Sequence, residues 1–335
     1  MPNIELAGAA QQFDCAEDDT ILRAGLRAGF GMPYECNTGN CGTCKVELVS
    51  GTVNAAWEAA PGLSERDRAK NRVLACQSHP TSDCAIKVRL RPENVPAHRP
   101  ARFRATLAAT RDLTHDLREF RFTTRGAPGF LAGQYALFTL PGVTGPRTYS
   151  MSNVEDGSGE WHFMVKRMPG GIGTAALFDK VAVGSALDVD GPYGLAYLRP
   201  ASPRDLLCIA GGSGLAPILS VVRGAVREKA LDGREIHVFY GARTTRDICG
   251  EVELAALPGY GSRIHFQPVV SNPEAGDGWT GPTGFVHEHV KARFGERFKE
   301  FECYFAGPPA MAQAVQQMFI EARVPYPQVH FDSFY

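Results

Sequence analysis

A short cysteine-rich loop constrains the fold of this chain more than any other stretch of its sequence. The segment PYECNTGNCGTCKVEL, residues 33–48, spaces three cysteines as C-x4-C-x2-C, and a fourth follows in RVLACQSHP. The four residues are Cys36, Cys41, Cys44 and Cys76. Taken alone, such a group is compatible with zinc, with disulfides or with an iron–sulfur cluster.

The composition is that of a globular protein with more than one domain. The chain has 335 residues, of which 44% are hydrophobic and 21% charged, so it has room for two or three domains with separate cores. Its formal charge of -1 argues against a nucleic-acid or anionic-membrane partner.

The start of the chain and the distribution of apolar residues bear on the compartment. Residues 1–20 carry five acidic side chains and no apolar run typical of a signal peptide, and no stretch reaches 18 uninterrupted apolar residues. We therefore expect a cytoplasmic protein with no membrane partner. Disulfides are rare in that compartment, which disfavours them for the cysteine loop.

Two proline-bearing segments, RPENVPAHRP and LRPASPRD, divide the chain into three predicted domains, at residues 1–92, 100–199 and 204–335. The first combines a helical segment, DDTILRAGLRAGF, with the alternating strand CKVELVSGTV, and we predict an α+β unit. The second carries four strand-like runs broken by Gly and Pro, which favours an antiparallel β-barrel. The third alternates strand and helix, which is typical of an α/β parallel sheet covered on both faces.

The spacing of the cysteine loop matches that of plant-type 2Fe-2S proteins, C-x4-C-x2-C with a distant fourth cysteine. Zinc usually takes two short C-x2-C pairs, and only Cys41 and Cys44 form one, so zinc is the weaker alternative. Gly39, Gly42 and Thr43 allow the backbone to curl and point amides at the sulfurs. The remaining cysteines lack this spacing, and we expect them to be inert and buried: Cys15, Cys84, Cys208, Cys249 and Cys303.

Two segments of the second domain suggest a site for a phosphate-bearing ligand. GPRTYSMSN places a cation, an aromatic ring and a hydroxyl on one strand end, at Arg147, Tyr149 and Ser150. MPGGIGTAALF places Gly170 and Gly171 directly before a helix, whose free amides and dipole favour a phosphate. Each segment alone is compatible with ordinary surface packing or a plain helix start.

Two strand-to-helix turns of the third domain suggest a dinucleotide site. CIAGGSGLAPILS has the pattern G-x-G-x-x-P, in which Pro217 replaces the third glycine of the usual fingerprint. CYFAGPPAMAQAV forms a second turn after a predicted strand. Ligands of parallel sheets bind beyond the carboxyl ends of the strands, so both turns should face one crevice.

Together these motifs resemble the NADH-dependent iron–sulfur flavoprotein reductase components of bacterial multicomponent oxygenases, especially those serving toluene-type monooxygenases and carbazole-type dioxygenases. The resemblance covers essentially the whole chain and includes APGLSERDRAKNRVLACQ, DGPYGLA and the terminal HFDSFY. It implies a β-grasp ferredoxin domain, an FAD-binding barrel and an NAD(P)H-binding domain, with a 2Fe-2S cluster, FAD and NADH as cofactors.

The resemblance also implies roles for individual residues. Tyr149 and Ser150 would contact the reacting part of the flavin, and a C-terminal aromatic residue, Phe334 or Tyr335, would cover it or pack elsewhere. The implied metal ligands are Cys36, Cys41, Cys44 and Cys76, and the implied cofactor-binding residues are Arg147, Tyr149, Ser150, Gly170, Gly171, Thr174, Gly211, Gly212, Gly214, Pro217, Gly307, Pro308 and Tyr335. Ala306 departs from the family pattern, since relatives often have Cys before Gly-Pro-Pro.

The implied activity is transfer of electrons from NADH through FAD and the cluster to a Rieske ferredoxin or a terminal hydroxylase. Glu35, Asp18 and Asp19 are expected to orient this acceptor. A monomer is the family's usual state. The alternatives are a reductase of the same layout serving another acceptor, such as a sugar dehydratase, and a non-catalytic electron carrier or zinc-bearing module.

Overall fold

The computed structural model describes residues 1–334, and its first unit is a small mixed sheet that packs against one helix. Its strands and helices are β1 Asn3–Leu6, β2 Gln12–Asp14, α1 Ile21–Arg27, β3 Lys45–Ser50, β4 Val53–Ala55, α2 Glu65–Arg68, β5 Arg72–Leu74, β6 Ser78–Pro80 and β7 Cys84–Lys87. The sheet order is β2-β1-β7-β3-β5, with β1 and β7 parallel. The Thr20 hydroxyl caps α1 by accepting the Arg23 amide. Ile21, Leu22 and Leu26 of α1 are buried, so the predicted helix and strand are confirmed.

The second unit is an antiparallel sheet of six strands that closes on itself. Its elements are β8 Ala101–Asp112, β9 Leu117–Thr124, β10 Tyr135–Thr139, β11 Arg147–Ser150, β12 Glu160–Lys166, α3 Ile172–Lys180 and β13 Ala186–Tyr193. The order is β11-β10-β13-β8-β9-β12, and an antiparallel bridge between Met151 and Phe163 joins the two edges. Alternating apolar side chains fill the interior, among them Phe120, Phe122 and Trp161. The predicted antiparallel barrel is confirmed.

The third unit is a parallel sheet of five strands. Its elements are β14 Asp205–Gly211, α4 Leu215–Arg227, β15 Ile236–Ala242, α5 Glu251–Ala255, β16 Ile264–Val270, α6 Val286–Phe294, β17 Phe301–Gly307, α7 Pro309–Glu321 and β18 Val329–Ser333. The order is β16-β15-β14-β17-β18, and separate apolar clusters cover the two faces. The α/β prediction is therefore confirmed. Helix α5 has only 5 residues, because Gly250 before it has φ 97° and Pro258 disfavours helix at the preceding residue.

Side chains from neighbouring units hold the three units together. Tyr135 and Tyr193 of the barrel belong to the same apolar cluster as the core of the first unit. On the other side, the Ser220 hydroxyl of α4 donates to the Asn153 carbonyl at 2.6 Å and accepts the Gly133 amide at 3.0 Å. Within residues 1–334, each helix is too short or too polar to cross a membrane.

Candidate functional site

The four predicted metal ligands converge in the first unit, and backbone amides point at two of their sulfurs. The Cys36 Sγ accepts the amides of Thr38 and Cys41 at 3.5 and 3.4 Å, and the Cys41 Sγ accepts the Thr43 amide at 3.5 Å. Gly42 has φ 77°, a left-handed conformation that glycine adopts without strain, which allows the loop to curl in this way. Such amides stabilise negative charge on thiolate sulfur.

The thiols lie as two neighbouring pairs, Cys36 with Cys41 and Cys44 with Cys76. The neighbouring Cys41 thiol is the main reason that the pKa of Cys36 is lowered, to about 5, and the Cys44 thiol likewise lowers the pKa of Cys76. Two pairs of thiols fit a cluster of two irons that each take two thiolates. The cysteines outside the motif are all buried, as the sequence predicted.

The two segments predicted to bind flavin lie side by side. A Cβ added at Gly173, in the first turn of α3, would lie 3.0 Å from the Arg147 Cγ, so glycine permits the close approach of this turn to the arginine. Helix α3 begins without a side-chain cap or an acidic residue in its first turn. Free amides beside a guanidinium form a suitable site for a pyrophosphate.

Ser150 contacts a residue that the sequence analysis did not identify. Its side chain is buried, and its Oγ donates to the Asp332 Oδ2 at 2.6 Å. Asp332 lies in β18, within the HFDSFY tail that the resemblance quoted, but nothing in its local sequence distinguishes it from any other acidic residue. The pKa of Asp332 is raised to about 6, chiefly because its carboxyl group is buried among protein atoms, although the residue as a whole is partly exposed.

One cavity connects the cysteine loop with the predicted flavin site. Its volume is about 1110 Å³, and its lining includes Cys36 and Cys76 of the first unit, Arg147 and Thr148 of the barrel, and Asp332 of the third unit. Of the residues predicted to bind flavin, Tyr149, Ser150 and Thr174 lie outside this lining. This volume and this mixed lining fit a large, partly charged ligand such as FAD.

Tyr135 of β10 spans the short distance between this cavity and the cysteine loop. Its ring lines the cavity, and its hydroxyl donates to the Glu35 carbonyl at 2.7 Å. Because Glu35 directly precedes Cys36, a single side chain connects the cavity wall to a metal-ligand residue. The sequence analysis missed this contact as well, since Tyr135 looks like any other aromatic residue of a strand.

The two glycine turns of the third unit meet at the carboxyl ends of β14 and β17. A Cβ at Gly214 would lie 2.1 Å from the Ala306 carbonyl oxygen and 2.7 Å from the Gly307 nitrogen. Gly211 and Gly307 are also in close contact, so both turns face one crevice, as expected. Because glycines allow the two turns to pack closely and add no side chains to the crevice, room is left for a dinucleotide at the edge of the sheet.

Several predicted residues have positions that bear on their expected roles. The Thr174 hydroxyl accepts the Met168 amide and donates to the Gly171 carbonyl, so it closes the glycine turn. Pro217 is buried in the first turn of α4, and Gly170 and Pro308 are exposed. Tyr149 packs edge-on against Phe138, and burial raises its pKa to about 12. The predicted contact of Tyr335 lies outside the described residues.

The expectation that Asp19 orients an acceptor protein is wrong. Its side chain is only 5% exposed, and its carboxylate binds the guanidinium of Arg27 at 2.9 Å. Arg27 also binds Asp190 of the barrel at 2.7 Å, so Asp19 belongs to an ionic bridge between units.

Asp18 remains exposed but pairs with Arg102 of the barrel. The Glu35 carboxylate accepts the Thr43 hydroxyl at 3.2 Å, and burial raises its pKa.

Family models match all three units. The 2Fe-2S iron–sulfur cluster binding domain matches residues 4–81, the oxidoreductase FAD-binding domain residues 104–197, and the oxidoreductase NAD-binding domain residues 208–317. The protein is thus an oxidoreductase with 2Fe-2S, FAD and NAD domains in that order.

Full-length relatives narrow this class. A ferredoxin–NAD(P)(+) reductase of Metapseudomonas resinovorans is 40% identical over 96% of both chains. The ferredoxin–NAD(+) reductase component of the alkene monooxygenase system of Xanthobacter autotrophicus is 39% identical over 97% of this chain and 98% of its own. The solved ferredoxin reductase in carbazole 1,9a-dioxygenase superimposes with a TM-score of 0.91 at 37% identity, covering 100% of this chain and 98% of that one. The chain belongs to the family of these ferredoxin reductase components of oxygenase systems.

Proposed function

We propose that this protein takes electrons from NADH and delivers them one at a time to a Rieske ferredoxin or a terminal hydroxylase of an aromatic-ring or hydrocarbon oxygenase. The observation that carries the proposal is the shared cavity, since Cys36, Cys76, Arg147 and Asp332 all line it. A cluster and a flavin held on two sides of one cavity are close enough to exchange electrons. The proposed setting is the cytoplasm, with the protein as a monomer.

The cofactors supply the redox chemistry: FAD accepts a hydride from NADH and releases electrons singly, and a 2Fe-2S cluster carries one electron. The chain binds and orients these groups. Cys36, Cys41, Cys44 and Cys76 would ligate the irons. Arg147, Gly170, Gly171 and Thr174 would form the pyrophosphate site with the first turn of α3, and Tyr149 would lie against the flavin ring.

Ser150 and Asp332 would orient the reacting edge of the flavin. The Ser150 hydroxyl donates to the Asp332 carboxylate, and this bond fixes the position of its oxygen. The proposed NADH site comprises Gly211, Gly212, Gly214, Pro217, Gly307 and Pro308, and Tyr335 remains a candidate cover for the flavin. The corresponding domain boundaries are residues 1–92, 100–199 and 204–335.

An anaerobic titration of the purified protein with NADH tests this proposal. We expect the flavin absorbance to bleach and a rhombic electron paramagnetic resonance signal of a reduced 2Fe-2S cluster to develop. Bleaching without that signal would show that electrons do not reach a cluster at the four cysteines. Reduction of an added Rieske ferredoxin, compared with reduction of a hydroxylase, then identifies the acceptor; failure with both would contradict the proposed partner while leaving the oxidoreductase intact.

A further inference from the structure

Three potential metal ligands lie on one face of the parallel sheet at its amino-terminal edge. Glu235 directly precedes β15 and His237 is two residues further, so both side chains point to the same side. His265 of β16 is the register partner of His237 across the parallel pair. The nucleotide turns lie at the opposite, carboxyl-terminal edge of the same sheet.

The distances among these side chains suit a tetrahedral ion. The Glu235 Oε2 lies 3.3 Å from the His237 Nε2 and 3.7 Å from the His265 Nε2, and one ligand atom from each residue lies within 4.8 Å of the others. Zinc binds imidazole nitrogen and carboxylate oxygen at about 2.0 to 2.2 Å, which places tetrahedral ligands about 3.4 Å apart. The observed separations bracket that value.

The histidines have polar atoms that the described residues do not satisfy. The His237 side chain is 9% exposed, and its Nε2 faces the Glu235 carboxylate. The His265 Nε2 is inaccessible to solvent and has no hydrogen-bond partner in residues 1–334, because the carboxylate lies too far away at 3.7 Å. An unsatisfied buried nitrogen is costly, and a cation between these groups would satisfy it.

The surroundings of the three side chains allow access to an ion. Near His237, the negative charge of Asp205 partly offsets the positive charge of Arg293. The Glu235 side chain is 53% exposed and that of His265 is 29% exposed, so an ion can enter from solvent. Stacking of the two imidazole rings, whose centroids lie 5.0 Å apart, and a hydrogen bond between Glu235 and His237 would account for the packing of these side chains, but they leave the His265 Nε2 unsatisfied.

We propose that Glu235, His237 and His265 bind one divalent transition-metal ion, with Zn²⁺ the best match and water as the fourth ligand. Two imidazoles and one carboxylate form a ligand set that zinc and its neighbours in the first transition series favour. The ion would tie β15 to β16. It would stabilise the nucleotide-binding sheet without competing for the NADH site.

Equilibrium dialysis of the untagged holoprotein against buffered Zn²⁺, followed by metal analysis, tests the proposal. We compare wild type, Glu235→Gln and His265→Gln with the control His287→Gln, which changes a partly exposed histidine of α6. We expect each site variant to bind one zinc fewer per chain than wild type and the control. Zinc bound at any other group cancels in this comparison.

A second measurement separates binding from damage to the fold. The flavin and cluster absorbance of each variant should equal that of wild type, which is reasonable because Glu235 is largely exposed. Added Zn²⁺ should raise the thermal midpoint of wild type and His287→Gln but not of Glu235→Gln, because a ligand stabilises the state that binds it. Equal zinc content and equal thermal shifts in wild type and Glu235→Gln would overturn the proposal.

Discussion

The Ser150 Oγ donates to the Asp332 Oδ2 at 2.6 Å, which joins a barrel strand to the last strand of the nucleotide-binding sheet across 182 positions of sequence. Asp332 also lines the cavity that reaches Cys36 and Cys76. Hydride transfer requires a nicotinamide from one unit to meet a flavin in another. The contact between Ser150 and Asp332 lies where the two units meet.

Asp332 should make the stability of the protein depend on pH. Burial raises its pKa to about 6, and the Ser150 bond offsets this only in part. Between about pH 4 and 6 the folded state therefore binds more protons at this group than the unfolded state, so the stability that it contributes falls as the pH rises through 6. We expect the thermal midpoint of wild type, relative to Asp332→Asn, to fall by about 2 °C or more from pH 5 to pH 7. A difference that does not vary with pH would contradict the assignment.

Cys76→Ser should abolish the cluster and spare the flavin. Serine removes one of four thiolates, while Arg147 and α3 are untouched. NADH should then bleach the flavin without producing the resonance signal of a reduced cluster. The matched control is Cys84→Ser in the same unit, since the Cys84 thiol lies in the apolar core and donates to the carbonyls of Ser82 and Thr52. A full cluster signal in Cys76→Ser would exclude this residue as a ligand.

Arg27→Ala should slow electron transfer from flavin to cluster. The change leaves Asp19 and Asp190 with the guanidinium of Arg102, at 3.2 and 3.9 Å, so the cost should lie below the roughly 3–5 kcal/mol of a fully broken buried pair. We expect flavin reduction by NADH near the wild-type rate, slower appearance of the reduced cluster, and a lower thermal midpoint. Stopped-flow absorbance at a flavin and a cluster wavelength measures both rates.

The matched control for Arg27 is Arg297→Ala, because Arg297 forms an exposed pair with Glu300 away from the cavity, and exposed pairs contribute little to stability. We expect it to behave as wild type. Equal effects from the two substitutions would mean that the bridge at Arg27 does not set the geometry of electron transfer.

Gly214→Ala should weaken NADH binding. The added methyl group would collide with the Ala306 carbonyl and separate the two turns of the crevice. Overpacking of this kind costs about 1–3 kcal/mol, and 1.4 kcal/mol corresponds to a tenfold change, so the KM for NADH should rise about tenfold while FAD content is unchanged. Ser213→Ala in the same turn is the control. An unchanged KM would exclude the turn from the NADH site.

Replacing Arg243 and Arg246 together by Gln should leave the preference for NADH over NADPH nearly unchanged. Both side chains are exposed beyond β15, and the neighbouring acidic residue, Asp247, accepts hydrogen bonds from the amide and hydroxyl of Thr244. The ratio of the two kcat/KM values measures the preference. A large loss of NADPH activity alone would show that these arginines bind a 2′-phosphate.

The sequence predicted the parts of the site that depend on local spacing. Cys36, Cys41 and Cys44 lie within one loop, as do the glycines of the turn after β14, so their geometry follows from a few neighbouring residues. Long-range partners left no such trace. In the sequence, Asp19 looks like an exposed acidic residue, and only the positions of Arg27 and Asp190 in the fold show that it is buried. His265 lies beside His237 because of the register between β15 and β16.

The apolar cluster that the barrel shares with the first unit has a consequence for how such proteins are modified by recombination. Tyr135, Leu137 and Tyr193 complete the interior around Ile4 and Ile86. An excised ferredoxin segment would therefore expose this apolar surface to water. A ferredoxin segment from another protein, fused to this barrel, would pack poorly, because the barrel side chains are complementary to a different surface. Exchange of electron-donating modules between relatives should succeed only when strands β10 and β13 are transplanted along with the cysteine loop.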